Sequence, residues 1–366
     1  MALKAFSAAK IFTGERWLDE QCVIVENNEI KDIIPSEAIP SSLTPQKLEG
    51  NLVPSFIDLQ IYGAYGKLLA VYPEADALVK LVDYCRKGGA AYCLPTVATN
   101  TYEVFHHAID AVKAYCDAGG DGVLGIHLEG PWINPVKRGA HITGLIHAPS
   151  LQQVKELLNY GKDTIKMITL APEICSAEVV DYILSQGIVI SVGHSNATYN
   201  QAVQGFAQGI TAVTHLYNAM SPLQHRSPGL VGAAMTDSRV MASIIPDGHH
   251  VDFAAIKIAK EVMKERLFVI TDAVTETDKG GYQHYLAGDK YEAGGILSGS
   301  ALTMAKSVQN LVNHIGIDLG EAIRMCSLYP ARVMQLDHEL GKIEKGFKAK
   351  MVLLDQHNEV IQLVGG

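Results

Sequence analysis

Residues 177–194 read AEVVDYILSQGIVISVGH, and this stretch decides the fold. Ala177 to Gln186 carries apolar residues at helical spacing, and Gly187 stops it. Ile188 to Val192 then follows as a short, β-branched run ending beside His194. Glycine just past a helix end supplies the left-handed conformation of the cap, so the stop has a physical cause. The pattern recurs along the middle of the chain. Asp76 to Lys87 stops at Gly88-Gly89 before Ala90 to Thr96, and Tyr102 to Ala118 stops at Gly119-Gly120 before Val123 to Leu128. Leu151 to Tyr160 stops at Gly161 before Ile165 to Leu170, and Gln201 to Gln208 stops at Gly209 before Ile210 to Thr214.

A first strand at Phe56 to Gln60, a seventh at Met241 to Ile245 and an eighth at Leu267 to Thr271 complete a set of eight. The helical pattern is weakest between the sixth and seventh. Short apolar strands alternating with helices imply parallel pairing, and eight such units predict an α/β fold, a (β/α)8 TIM-type barrel. A doubly wound open sheet is the alternative, because periodicity does not reveal closure.

Further out, the ends of the chain alternate apolar and polar residues, as in Cys22-Val23-Ile24-Val25-Glu26, with Asn27-Asn28 as a hairpin turn. Gly341 to Val364 holds further short β-like pieces. Residues 1–53 and 335–366 are therefore expected to form one small β-sandwich domain, and 54–334 the barrel. Ile34 to Pro45 reads as a surface loop.

Composition limits the function. The 366 residues are 48% apolar and 19% charged, ample for a large core. No apolar run is long enough to span a bilayer, and Met1 to Phe12 reads as a strand rather than a secretory signal. Six scattered cysteines without a CxxC pair point to a reduced, cytoplasmic setting. A net charge of −9 argues against nucleic acid or an acidic membrane as partner. A small anionic ligand needs only a local cationic pocket.

In a parallel barrel the chemistry sits at the C-terminal strand ends. Here those ends carry Glu129, His194, His215 and Asp272. One carboxylate and two imidazoles suit a borderline divalent ion with positions left open for water, and Asp272 suits a proton shuttle. Taken singly, each residue has a structural reading, as a hydrogen-bonded histidine, an ion-pair partner or a helix cap. The four together, in order at strand ends, favour a site.

The strings HLEGPW (127–132), VGHS (192–195), THLYNAM (214–220), DGHHV (247–251), TDA (271–273), GSALTM (299–304) and LYPAR (328–332) resemble the N-acetylglucosamine-6-phosphate deacetylases of the amidohydrolase superfamily. The resemblance spans most of the chain. It implies a cytoplasmic hydrolase acting on the linear amide of an N-acetylated amino-sugar phosphate, releasing acetate and D-glucosamine 6-phosphate. It makes Glu129, His194 and His215 ligands of one divalent ion, expected to be zinc, with iron, manganese or cobalt as alternatives. It makes Asp272 the catalytic aspartate and His141 a substrate contact near the scissile carbonyl. Asn218 and Ala219 match a cradle for the phosphate side, and Arg226 and His250 match cationic groups that hold the phosphate. Between His249 and His250, the spacing before Val251 favours His250. His127 is expected behind the ligands rather than among them, and Ser300 and Thr303 as helix caps. Phosphate-side groups can come from the neighbouring subunit in this family, which implies a homodimer.

The first strand departs from the wider superfamily. Gln60 and Tyr62 stand where a His-x-His pair would bind a second metal, and a neutral amide and a phenol are poor ligands. Gln60 is expected to touch water or substrate instead. Three rivals stay open. They are a deacetylase for N-acetylgalactosamine 6-phosphate, a cyclic-amide hydrolase (which Gln60 counts against), and an inactive binding protein on the same scaffold.

Overall fold

The computed structural model describes residues 3–365. Eight parallel strands form one sheet in chain order: Phe56–Ile61, Ala90–Ala98, Ile126–Glu129, Ile165–Leu170, Val189–Val192, Ala212–Val213, Met241–Ile244 and Leu267–Val269. The eighth returns to the first just past its end, where Asp272 N donates to Gln60 O (3.0 Å) and Tyr62 N to Ala273 O (2.9 Å). That closure makes the sheet a barrel and removes the open-sheet alternative. The weak region between the sixth and seventh strands holds a short helix, Gly229–Thr236.

Helix starts are set by side-chain caps. Thr101, Ser176 and Asp252 accept from nearby backbone N–H groups, and Ser150 with Gln153 and Thr198 with Gln201 form capping boxes. The glycine stops take positive φ at Gly89, Gly119, Gly187 and Gly209, as expected. Gly161 does not, with φ −89°. It is needed for space, since a Cβ there would lie 2.3 Å from Ile165 Cδ1.

Contacts divide the chain into two compact units, residues 59–84 with 93–302, and residues 3–58 with 85–92 and 303–365. The second unit is larger than a division at 53 and 335 allows. Its helices Leu319–Cys326 and Leu328–Val333 belong with the terminal strands, and the Arg324 guanidinium lies 5.5 Å over the Phe12 ring. Its six strands form one sheet, in the order Val360–Val364, Met351–Leu354, Gln46–Pro54, Lys4–Phe12, Trp17–Glu26 and Glu29–Pro35. Ile30 at one edge and Val364 at the other share a core with Phe6, Val23, Leu52 and Met351. The termini thus build one separate six-stranded sheet with a core of its own. Asn27 and Asn28 make the hairpin turn, with φ +54° and +63°. Among the described residues all six cysteines are free thiols, and no helix is long and apolar enough to cross a membrane.

Candidate active site

The polar side chains reach the barrel mouth because the backbone turns sharply where the strands stop. His194, His215 and Asp272 have φ +47°, +35° and +55°, a left-handed conformation that ordinary side chains avoid. Neighbouring groups hold each one. Ser243 Oγ accepts from His215 N (2.7 Å), and Ser300 N donates to Asp272 O (3.0 Å). Ser300 Oγ also donates to Thr271 O (2.5 Å), so Ser300 locks the aspartate's strand end, whereas Thr303 caps a helix. At the third strand end, Gly130 follows Glu129 with φ +83°. A Cβ there would fall 2.2 Å from Thr99 Oγ1, and that hydroxyl lies 2.7 Å from His141 Nδ1.

Three donor atoms meet at close range. His194 Nε2 and His215 Nε2 lie 3.3 and 3.2 Å from Glu129 Oε1, and 3.1 Å from each other. With metal–ligand bonds of about 2.0–2.2 Å, tetrahedral ligands sit roughly 3.3 Å apart. The spacing thus fits one divalent ion, and a carboxylate with two imidazoles is the right donor chemistry. His141 Nε2 stands 3.2 Å from the other carboxylate oxygen, Oε2, so Glu129, His141 and His194 also form a compact cation-binding group. Thr99 and Lys137 orient the rings, the latter through its carbonyl, 2.9 Å from His194 Nδ1.

Gln60 and Tyr62 serve this carboxylate pair as donors. Gln60 Nε2 donates to Glu129 Oε1 (3.0 Å) and Asp272 Oδ1 (2.8 Å), and Tyr62 Oη donates to Glu129 Oε2 (2.5 Å). Burial, with the charges of Glu129 and Asp272, pushes the Tyr62 phenol well above its usual pKa, so it keeps its proton. Burial opposes ionisation of Glu129, but His194 and His141 outweigh it and hold the carboxyl well below the ordinary range. Asp272 goes the other way: burial and then Glu129 raise its pKa, against the pull of His215 and His250. Burial lowers His194 to about 4. For His215, Glu129 overcomes burial and raises it. Two carboxyls bridged by the Gln60 amide are thus driven in opposite directions.

A cavity of about 200 Å3 opens over these groups, lined also by Asn218, Ala219 and His250. Among the described residues the buried Asn218 amide nitrogen has no hydrogen-bond partner. His250 is held by Asp247, 2.6 Å from its Nδ1, and its Nε2 lies 3.9 Å from Asp272 Oδ2. His249 is exposed, outside the cavity lining, and pairs with Asp289. His127 lies behind the ligands, between Leu59 O and Thr169 Oγ1. Two of the expected residues do not line the cavity, Arg226 and the buried Gln60. Arg226 is exposed on the tight turn Gln224–Ser227, and among the described residues neither lysine nor arginine lines the cavity. Tyr282 and His284, also in the lining, escaped the sequence reading. They follow the eighth strand on an irregular segment with neither periodicity nor a strand end to mark them.

Comparison with known proteins places the chain in a family. Residues 51–364 match the amidohydrolase family and residues 5–53 the NagA composite domain. The chain is 34% identical to an N-acetylgalactosamine-6-phosphate deacetylase of Escherichia coli O157:H7 and 33% identical to an N-acetylglucosamine-6-phosphate deacetylase of Haemophilus influenzae. Each alignment covers 97% of this chain and 96% of the relative. The crystal structure of N-acetylglucosamine-6-phosphate deacetylase from Pasteurella multocida superposes with a TM-score of 0.94 at 34% identity, covering 100% of this chain and 98% of that one. With a family match over residues 51–364 and relatives more than 30% identical along almost the whole chain, the chain belongs to the amidohydrolase family.

Proposed function

We propose that this enzyme deacetylates N-acetyl-D-glucosamine 6-phosphate, giving D-glucosamine 6-phosphate and acetate in amino-sugar catabolism. The observation that carries the proposal is the convergence of Glu129, His194 and His215 donor atoms within 3.3 Å of one another, with Asp272 sharing the Gln60 amide with Glu129 at the same cavity. Glu129, His194 and His215 would hold one zinc ion, with iron, manganese or cobalt able to replace it. When bound, the ion supplies Lewis acidity, polarising the amide carbonyl and acidifying water. The neutral Gln60 and Tyr62 favour a single ion.

The chain's own residues do the rest. His141, steadied by Thr99, donates a hydrogen bond to the carbonyl oxygen and stabilises the tetrahedral oxyanion. Asp272 takes a proton from the attacking water and returns it to the departing amine. Asn218, Ala219 and His250 bind the phosphate side, and Gln60 orients water or substrate. The phosphate needs more cation than this cavity offers, so Arg226 of a second copy completes the site in a homodimer. The absence of a long apolar helix is compatible with a cytoplasmic enzyme.

An acetate-release assay tests the reading, using the 6-phosphates of N-acetylglucosamine and N-acetylgalactosamine and their unphosphorylated forms. Phosphate dependence and a preference for the gluco epimer are expected. Equal rates without phosphate would remove the role of Arg226 and His250. The galacto substrate is the second reading, favoured by the Escherichia coli relative at 34% identity, and a galacto preference would select it.

A further inference from the structure

Glu173 follows the fourth barrel strand in the single turn Pro172–Ile174 and is half-buried. Its carboxylate gathers three donors from two other loops. Oε1 accepts from Asn134 Nδ2 (2.9 Å) and Asn196 N (2.6 Å), and Oε2 accepts from Ser195 Oγ (2.7 Å). Asn134 belongs to the loop after the third strand, and Ser195 and Asn196 to the loop after the fifth. Both loops grip His194. Asn134 N donates to His194 O (2.8 Å), and Lys137, whose carbonyl faces His194 Nδ1, is tied to Asn134 O by its own N–H (2.9 Å). His194 needs such a grip, since its φ of +47° is costly for a side chain with a Cβ.

We infer that Glu173 is a positioning residue for the metal ligand His194, acting through Asn134 and Ser195–Asn196 without touching ion or substrate. The inference rests on the ligand set proposed above. A carboxylate suits the task because an ionised acceptor makes stronger hydrogen bonds to several donors than a neutral one does. It also sets the ring direction, since the two loops fix the His194 backbone and the carbonyl that orients Nδ1. Groups behind metal ligands typically tune affinity ten- to a hundred-fold when changed.

The test uses the full-length chain, with zinc affinity measured by chelator competition and the visible spectrum of the cobalt-loaded protein recorded beside it. Glu173→Gln should weaken zinc about ten-fold and shift the cobalt bands. Ser195→Ala should act in the same direction but less, and the double variant should fall short of the product of the two. Wild-type affinity and spectrum in Glu173→Gln, even with a lowered Tm, would overturn the inference and leave a loop clamp. If Glu173→Gln does not fold, unchanged affinity in Ser195→Ala overturns it equally. A His194→Ala protein that binds zinc as tightly as wild type would instead sink the ligand set, and that failure is read separately.

Discussion

Two regions of this chain place residues with side chains in the left-handed conformation, for opposite reasons. At the tip of the terminal hairpin, Asn27 and Asn28 have φ +54° and +63°. Asparagine tolerates this conformation, and the turn type that matches strand twist requires it at both positions. At the barrel mouth the same backbone carries His194, His215 and Asp272, where no hairpin turn type calls for it. There the conformation is imposed by Ser243, Ser300 and the loops that hold them, and it turns the side chains onto one cavity. The hairpin is locally consistent. The mouth is held by groups distant in the chain, a pattern found where geometry serves chemistry.

The contrast can be broken in several ways. Asp272→Asn should lower kcat by about 10²- to 10⁴-fold while metal content stays unchanged. Near-normal turnover would mean that the strained strand end serves no proton transfer. Stripping the metal should remove activity and about 4 kcal/mol of stability, relative to protein with free ion at a thousand times its Kd. Hydrogen exchange should then rise at 191–219 and stay level at 17–35. Uniform change across both regions would contradict the contrast.

Acid should act next, and again at the mouth. His284 is buried beside the cavity, and burial lowers its pKa to about 4 from an ordinary 6.5. Its folded pKa is depressed, so between those values the unfolded chain binds more protons than the folded one. The stabilisation present above pH 6.5 is therefore lost as pH falls towards 4, at most about 3 kcal/mol from this group. Urea unfolding of His284→Phe should show a flatter acid limb, and an unchanged slope would refute the assignment. The smallest effect belongs to the hairpin. Asn28→Val should cost about 1–2 kcal/mol without touching kcat, while Asn28→Gly should be nearly neutral, both read from denaturant midpoints.

Much of the barrel was legible because its signals are local. Glycine after a helix, then a β-branched run, reports one βα unit wherever it occurs, and residues ending such runs fall on one rim once the sheet closes. That is why Glu129, His194, His215 and Asp272 could be named together, and why His127 could be set behind them. Signals that depend on distant partners were missed or misread. Ser300 read as a helix cap because nothing local reveals its bond to Thr271. Tyr62 read as a failed ligand, although its hydroxyl serves Glu129. Arg226 carried a family pattern, yet it sits on an exposed turn and not in the cavity of its own chain.

The sequence by itself determined the repeating units, their order and the residue types delivered to the rim, since helix stops and strand runs are properties of neighbouring residues. Only the tertiary structure decided that the sheet closes, that Gln60 bridges two carboxylates, and that Glu173 ties two loops around His194. Those outcomes depend on atoms far apart in the chain, and their hydrogen bonds form only when packing has brought the strand ends together.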